Sequence, residues 1–173
     1  MEKISDFCGR ELQWMQPRMT EPYFELKAAD EKVASLKFKN AFGSFAEGTF
    51  AGGIWTFKRQ GFLSSVVTIR EKGYENNLAV YRNNTWSEGG TLEIPDGVKY
   101  KVNSNYWNEQ FEYTGESGNL LIQCTKISGF KLHARLEIFP DACELDKYPW
   151  MLLLGWYLAV MSSREGEFMA GLF

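Results

Sequence analysis

One histidine, His133, serves a chain of 173 residues. A metal centre built on paired imidazoles is therefore excluded, and any Ser–His–Asp triad would rest on that one ring. His133 itself reads as a solvent-facing residue on the polar side of a strand, Lys131-Leu132-His133-Ala134-Arg135. Cysteine is scarce as well. Cys8, Cys124 and Cys143 are odd in number and far apart, with no C-x-x-C pair. That spacing suits neither a disulfide framework nor a zinc site, and it points to reduced thiols in a cytosol-like compartment. The opening stretch Met1–Phe7 lacks the cationic start and apolar segment of a signal peptide, so the chain is expected in the cytoplasm. The triplet Asn83-Asn84-Thr85 then reads as a polar turn rather than a glycosylation site.

Motifs of catalysis are missing too. No G-x-x-x-x-G-K-[ST] loop and no G-x-S-x-G elbow occurs. Gly48-Thr49-Phe50-Ala51-Gly52-Gly53 is rich in glycine but has no following Lys, and it reads as strand–turn–strand. Asp96 stands in a tight turn without a calcium-loop pattern. Asp141, Glu144 and Asp146 gather ahead of an apolar run, where carboxylates favour a helix N-terminus. Nothing here supports an enzymatic mechanism, a metal or a cofactor, and a non-enzymatic domain is expected.

Charge of one sign is not in excess overall: 19 Lys and Arg face 22 Asp and Glu, for a net charge of −3. No nucleic-acid partner is expected from such a balance. The distribution is uneven, however. Residues 31–72 hold seven cations (Lys32, Lys37, Lys39, Lys58, Arg59, Arg70, Lys72) against Glu31, Glu47 and Glu71, so this stretch carries +4 and the remainder −7. Two readings fit: the solvated face of edge strands, which lysine guards against aggregation, or a patch for an anionic phospholipid head group. On the second, Lys37, Lys39, Lys58, Arg59 and Arg70 are the candidate contacts, and the protein would sit peripherally at a membrane.

What the sequence has in abundance is period-two alternation. Phe24-Leu26-Ala28, Ala34-Leu36-Phe38, Trp55-Phe57, Val67-Ile69, Leu78-Val80, Leu92-Ile94, Val98-Tyr100-Val102, Phe111-Tyr113, Leu120-Ile122-Cys124 and Leu132-Ala134-Leu136-Ile138 each skip one residue. This is the rhythm of half-buried strands, with Trp55 and Phe57 pointing inward and Thr56 and Lys58 outward. Turn residues separate the runs, most clearly Pro95-Asp96-Gly97. No helix long enough for a parallel crossover intervenes, so the expectation is an antiparallel sandwich or barrel over residues 20–140. Ile4, Phe7, Cys8, Leu12 and Met15 fall at helical spacing and predict an amphipathic N-terminal helix over 1–16.

The longest uncharged run, Tyr148 to Ser163, has sixteen residues. As a helix it spans about 24 Å, short of the roughly 30 Å hydrocarbon core. Asp146 is a candidate N-cap and Pro149 suits a first turn, which predicts a helix over 146–163. Apolar on every side, it must be surrounded by protein or by lipid. A core helix is expected, with a tail anchor as the alternative.

Short antiparallel strands followed by such a helix resemble the tubby C-terminal-like superfamily, which includes tubby domains, phospholipid scramblases and plant LURP-one-related proteins. Gly53-Ile54-Trp55-Thr56-Phe57, Val67-Thr68-Ile69-Arg70, the Asp96-Gly97 hairpin before Tyr100 and the run Pro149–Met161 carry the resemblance, across about residues 20–163. It implies a single domain over 1–173: a closed antiparallel β-barrel with the apolar helix through its centre. It also implies a binding or scaffold role without catalysis. The cysteine-rich cluster and acidic calcium segment of scramblases have no counterpart here. A small relative of the LURP-one type fits best. A lipocalin-like carrier is the other barrel reading, and it would need an empty interior.

Overall fold

The computed structural model describes residues 1–61, 66–84, 89–105, 110–126 and 132–170. Among them, twelve strands follow one another: β1 (Leu12–Met15), β2 (Tyr23–Ala28), β3 (Glu31–Phe38), β4 (Ala46–Phe50), β5 (Gly53–Gln60) and β6 (Val66–Glu71). The second half comprises β7 (Ala79–Asn83), β8 (Gly90–Glu93), β9 (Lys99–Asn105), β10 (Gln110–Thr114), β11 (Leu120–Lys126) and β12 (Ala134–Ile138). Each pairs antiparallel with the next, and β1 pairs with β12 through Leu12–Leu136 to close the barrel. Helix α1 (Met151–Ala170) follows a 3-10 turn at Pro140–Lys147.

Closure explains the helix. A barrel of about eight strands is filled by its own side chains, whereas twelve enclose a wider lumen. α1 fills it: Met151, Leu152, Leu153, Leu154, Trp156, Tyr157, Leu158 and Val160 are all buried. Trp156 stacks on Trp14 of β1 (5.5 Å, 4°) and meets Phe24 of β2 edge-on (5.6 Å), while Tyr157 stacks on Phe38 of β3 and Phe57 of β5, each at 5.5 Å. On the far wall, Tyr113 of β10 donates from its hydroxyl to the Met151 carbonyl at 3.0 Å. Gly48 on β4 shows how close the packing is, since a Cβ there would lie 2.8 Å from Leu153 Cδ1. The interior that a lipocalin-type carrier keeps open is thus occupied by protein. No helix among the described residues is long and apolar enough to cross a membrane.

Strand registers follow the alternation in most runs. Along β5, Trp55 and Phe57 are buried while Thr56 and Lys58 turn outward. Three local expectations are corrected. The N-terminal helix over 1–16 is absent; a 3-10 turn covers only Ile4–Phe7, and Leu12–Met15 is strand β1. Gly9, at φ 74°, breaks the helical path, and Leu12 and Trp14 gain the barrel interior by alternating instead. In β7 the inward residues are Ala79 and Tyr81, not Leu78 and Val80. Leu78 precedes the strand and donates its N–H to the Ile69 carbonyl, and Val80 faces out opposite Thr68 and Glu93. Asp146 does not cap α1: its carboxylate accepts from the Ser5 N–H (2.8 Å) and hydroxyl (2.6 Å), pinning the N-terminal turn to the 3-10 segment.

The β4–β5 turn sets Ala51 at φ 50° and Gly52 at φ 80°. Two positive φ values make a type I′ hairpin turn, in which Asn-Gly is the preferred pair. Alanine in the left-handed region is strained by about 1 kcal/mol. Ala51→Asn is therefore expected to stabilise the domain by about 0.5–1 kcal/mol. Chemical denaturation read by tryptophan fluorescence checks it, with a raised midpoint at unchanged slope as the expected result.

Candidate functional site

An antiparallel meander sorts its connections between two ends. The links β2–β3, β4–β5 and β8–β9 share the end at which the chain enters α1, where the Tyr148 hydroxyl donates to Asp96 at 3.1 Å. The β1–β2 and β3–β4 loops lie at the other end, joined at their bases by the Phe38 N–H on the Pro22 carbonyl at 2.9 Å. α1 reaches that far end with Tyr157 and Arg164. The Tyr157 hydroxyl donates to the Ser44 carbonyl at 2.6 Å, and Arg164 Nη1 to the Gly43 carbonyl at 2.8 Å with its guanidinium 4.2 Å from the Phe38 ring centroid.

The five candidate cations distribute unevenly over this frame. Lys37 and Lys39 leave the last residues of β3 and the loop beyond it, and Lys58 stands near the end of β5; all three are exposed at the far end. Lys37 and Lys58 lie two strands apart and two residues out of row, a separation of about 12 Å. Arg59 belongs to the inward series of Trp55 and Phe57 and reaches the rim rather than the outer face. Its carbonyl accepts the Ser44 hydroxyl at 3.2 Å. Burial pushes the Tyr157 hydroxyl well above the ordinary tyrosine range, and the neighbouring charges of Arg59 and Arg164 pull it partly back. Arg70 does not join the group. It lies near the opposite end of β6, with its Nε donating to Asn77 Oδ1 at 2.8 Å. Glu47 stands between them, opposite both Lys37 and Thr56, and its carboxylate holds Lys72 at 3.0 Å.

The far end also carries residues that charge counting passes over. Phe42 at the tip of the β3–β4 loop is fully exposed, and Met19 in the β1–β2 loop is 62% exposed. Arg164, which directly follows the uncharged run Tyr148–Ser163, joins them from α1. A second group of cations, Arg82, Lys99 and Lys101, lines a groove of about 500 Å³ on the outer face of β7–β9. Glu93 and Glu116 share that groove, and Arg82 is already on Glu93 at 3.3 Å, so its charge is largely balanced.

The residues searched for chemistry have structural partners. His133 precedes β12, half-buried, with Nε2 2.9 Å from Gln13 Oε1 across the closing seam. Asp141 accepts from Asn119 at 2.9 Å. Burial alone pushes the Cys124 thiol up to about 12, which suits an inert core residue. Among the described residues, no group of three or more His, Cys, Asp or Glu is placed to hold a metal ion.

Comparison with solved structures finds a protein from Arabidopsis thaliana, AT5G01750, at a TM-score of 0.59 and 10% sequence identity, covering 92% of this chain and 96% of that one. The likeness shows the fold. At so low an identity it says nothing of residues or activity. No family model matches the sequence, and no curated protein matches it.

Proposed function

We propose that this chain is a divergent relative of the tubby C-terminal-like superfamily, nearest the LURP-one type, and that it works by binding rather than catalysis. Its ligand on this reading is an anionic phospholipid surface, met by the far end of the barrel from the cytoplasmic side. The observation that carries the reading is the placement of Lys37, Lys39 and Lys58. Three exposed cations come from the ends of two strands to one rim, with Arg59 beside them, although the chain as a whole is acidic. The barrel with its lumen filled by a helix supports the family. It also leaves the outer surface and rims as the places where a ligand can act.

Each cation close to an anionic bilayer contributes about 1 kcal/mol. Reversing three of them should therefore weaken binding by at least a hundredfold, about 3 kcal/mol or more. Co-sedimentation with vesicles containing phosphatidylinositol bisphosphate checks this, comparing wild type with Lys37→Glu/Lys39→Glu/Lys58→Glu. Wild-type binding is expected at low ionic strength and should fade toward 0.15 M salt, where the Debye length is about 8 Å. Equal sedimentation of the triple variant, or none by the wild type at low salt, would remove the proposal.

A further inference from the structure

Phe42 is a large apolar ring, fully exposed, on a loop that is not loose. The Asn40 side-chain oxygen accepts the N–H groups of Phe42, at 3.2 Å, and Gly43. The Lys39 N–H closes the loop on the Phe45 carbonyl at 2.9 Å. From below, Arg164 and Tyr157 of the core helix hold the Gly43 and Ser44 carbonyls, and the Ser44 hydroxyl reaches the Arg59 carbonyl. The tip of the loop is thus braced against both α1 and β5.

A lone exposed phenylalanine carries no message, because protein surfaces are full of single apolar residues. Here it has company. Phe45 is 39% exposed at the foot of the same loop, and Met19 is exposed in the loop of the adjoining hairpin, whose base is bonded to that of the Phe42 loop. Lys39 and Lys58 flank these residues, exposed on the same rim. Apolar tips flanked by two lysines match a bilayer interface, where rings enter the head-group boundary and ammonium groups meet phosphates.

We infer that Phe42 is a membrane anchor: a ring held out by a braced loop to enter the interfacial layer of an anionic bilayer, with Met19 as its neighbour. This rests on the lipid reading above and goes beyond it, since cations alone would hold the barrel at the surface without penetration. Bracing matters because a loop already ordered gives up little conformational freedom on insertion.

The test uses the full chain and vesicles of phosphatidylcholine with phosphatidylserine and phosphatidylinositol bisphosphate. Phe42→Ser should bind these vesicles at least tenfold more weakly than wild type, from the lost burial of the ring. Its melting temperature should be unchanged, because the side chain touches no core residue. That deficit should persist as salt rises, since screening acts on charges and not on apolar transfer. Phe42→Trp should bind at least as well as wild type, and brominated acyl chains should quench its fluorescence beyond the wild-type level. If Phe42→Ser binds within twofold of wild type while Lys37→Glu/Lys39→Glu/Lys58→Glu has lost binding, the anchor is wrong and the cationic reading survives. No wild-type binding at low salt overturns both. A lipid-free dimer that Phe42→Ser dissolves, with vesicle binding unaltered, would reassign the tip to self-association and overturn the anchor.

Discussion

Ending the chain at Tyr148, so that α1 is never made, is expected to leave a polypeptide that collects in the pellet and shows no near-ultraviolet dichroism. Eight large side chains of the helix are buried: Met151, Leu152, Leu153, Leu154, Trp156, Tyr157, Leu158 and Val160. Removing one such side chain from a core costs about 2–5 kcal/mol. A domain of this size has only about 5–15 kcal/mol to lose. The strands would suffer as well, because Trp14, Phe24, Phe38 and Phe57 would face a wet lumen instead of Trp156 and Tyr157. No rearrangement of twelve strands can close that space with the side chains they own. A truncated chain that kept a cooperative melt and a native near-ultraviolet spectrum would show that the barrel supports itself.

Phe57→Lys is expected to abolish folding, and Thr56→Lys, one residue away, to shift stability by no more than about 0.5 kcal/mol. Phe57 is fully buried and stacks on Tyr157, so an ammonium group there would lie inside the barrel without a carboxylate to meet it. An uncompensated buried charge costs several kcal/mol after relaxation, on top of the lost ring packing. Thr56 lies on the outer face between Glu47 and Arg70, where a lysine gains one neighbour of opposite sign and one of like sign. Thermal melts of the two variants make the comparison. Equal losses would mean that β5 does not present alternate residues to opposite sides.

Where one physical signal dominated, the sequence was readable. Pro95-Asp96-Gly97 between Leu92-Ile94 and Tyr100-Val102 could only be a turn between strands, and β8 and β9 pair across it. The run Met151–Val160 is apolar on all sides, and that alone required an enclosure. β1 was hidden because Leu12, Trp14 and Met15 satisfy either period over so few residues. What decided between them lies far off in the chain, in the pairing with Leu136 and the stack on Trp156. β7 misled because Leu78 and Val80 are more apolar than Ala79 and Tyr81. Inside the barrel, though, position along the strand outweighed hydrophobicity, and an aromatic ring filled more space than a valine.

The candidate site was legible as a composition and illegible as a place. Seven cations in 31–72 could be counted, but which strand end each occupies depends on the meander. That is why Lys37, Lys39 and Lys58 share a rim while Arg70 is tied to Asn77 elsewhere. Phe42 left no periodic signal, since it lies in a loop and belongs to neither face of a strand.

The order in which the barrel is closed bears on its birth. The strand that seals the wall, β12, and the helix that fills the lumen are made after the other eleven strands, and one of the two neighbours of β12 is β1, the first of them. Throughout synthesis, the earlier strands emerge with an open edge and an unfilled inner face, a condition that invites aggregation. Closure demands that the first and last strands of the barrel find each other, which is slow when loop entropy must be overcome first. The barrel therefore cannot close until β12 and α1 have been made, and its unclosed form is a natural client for chaperones that shield apolar surface.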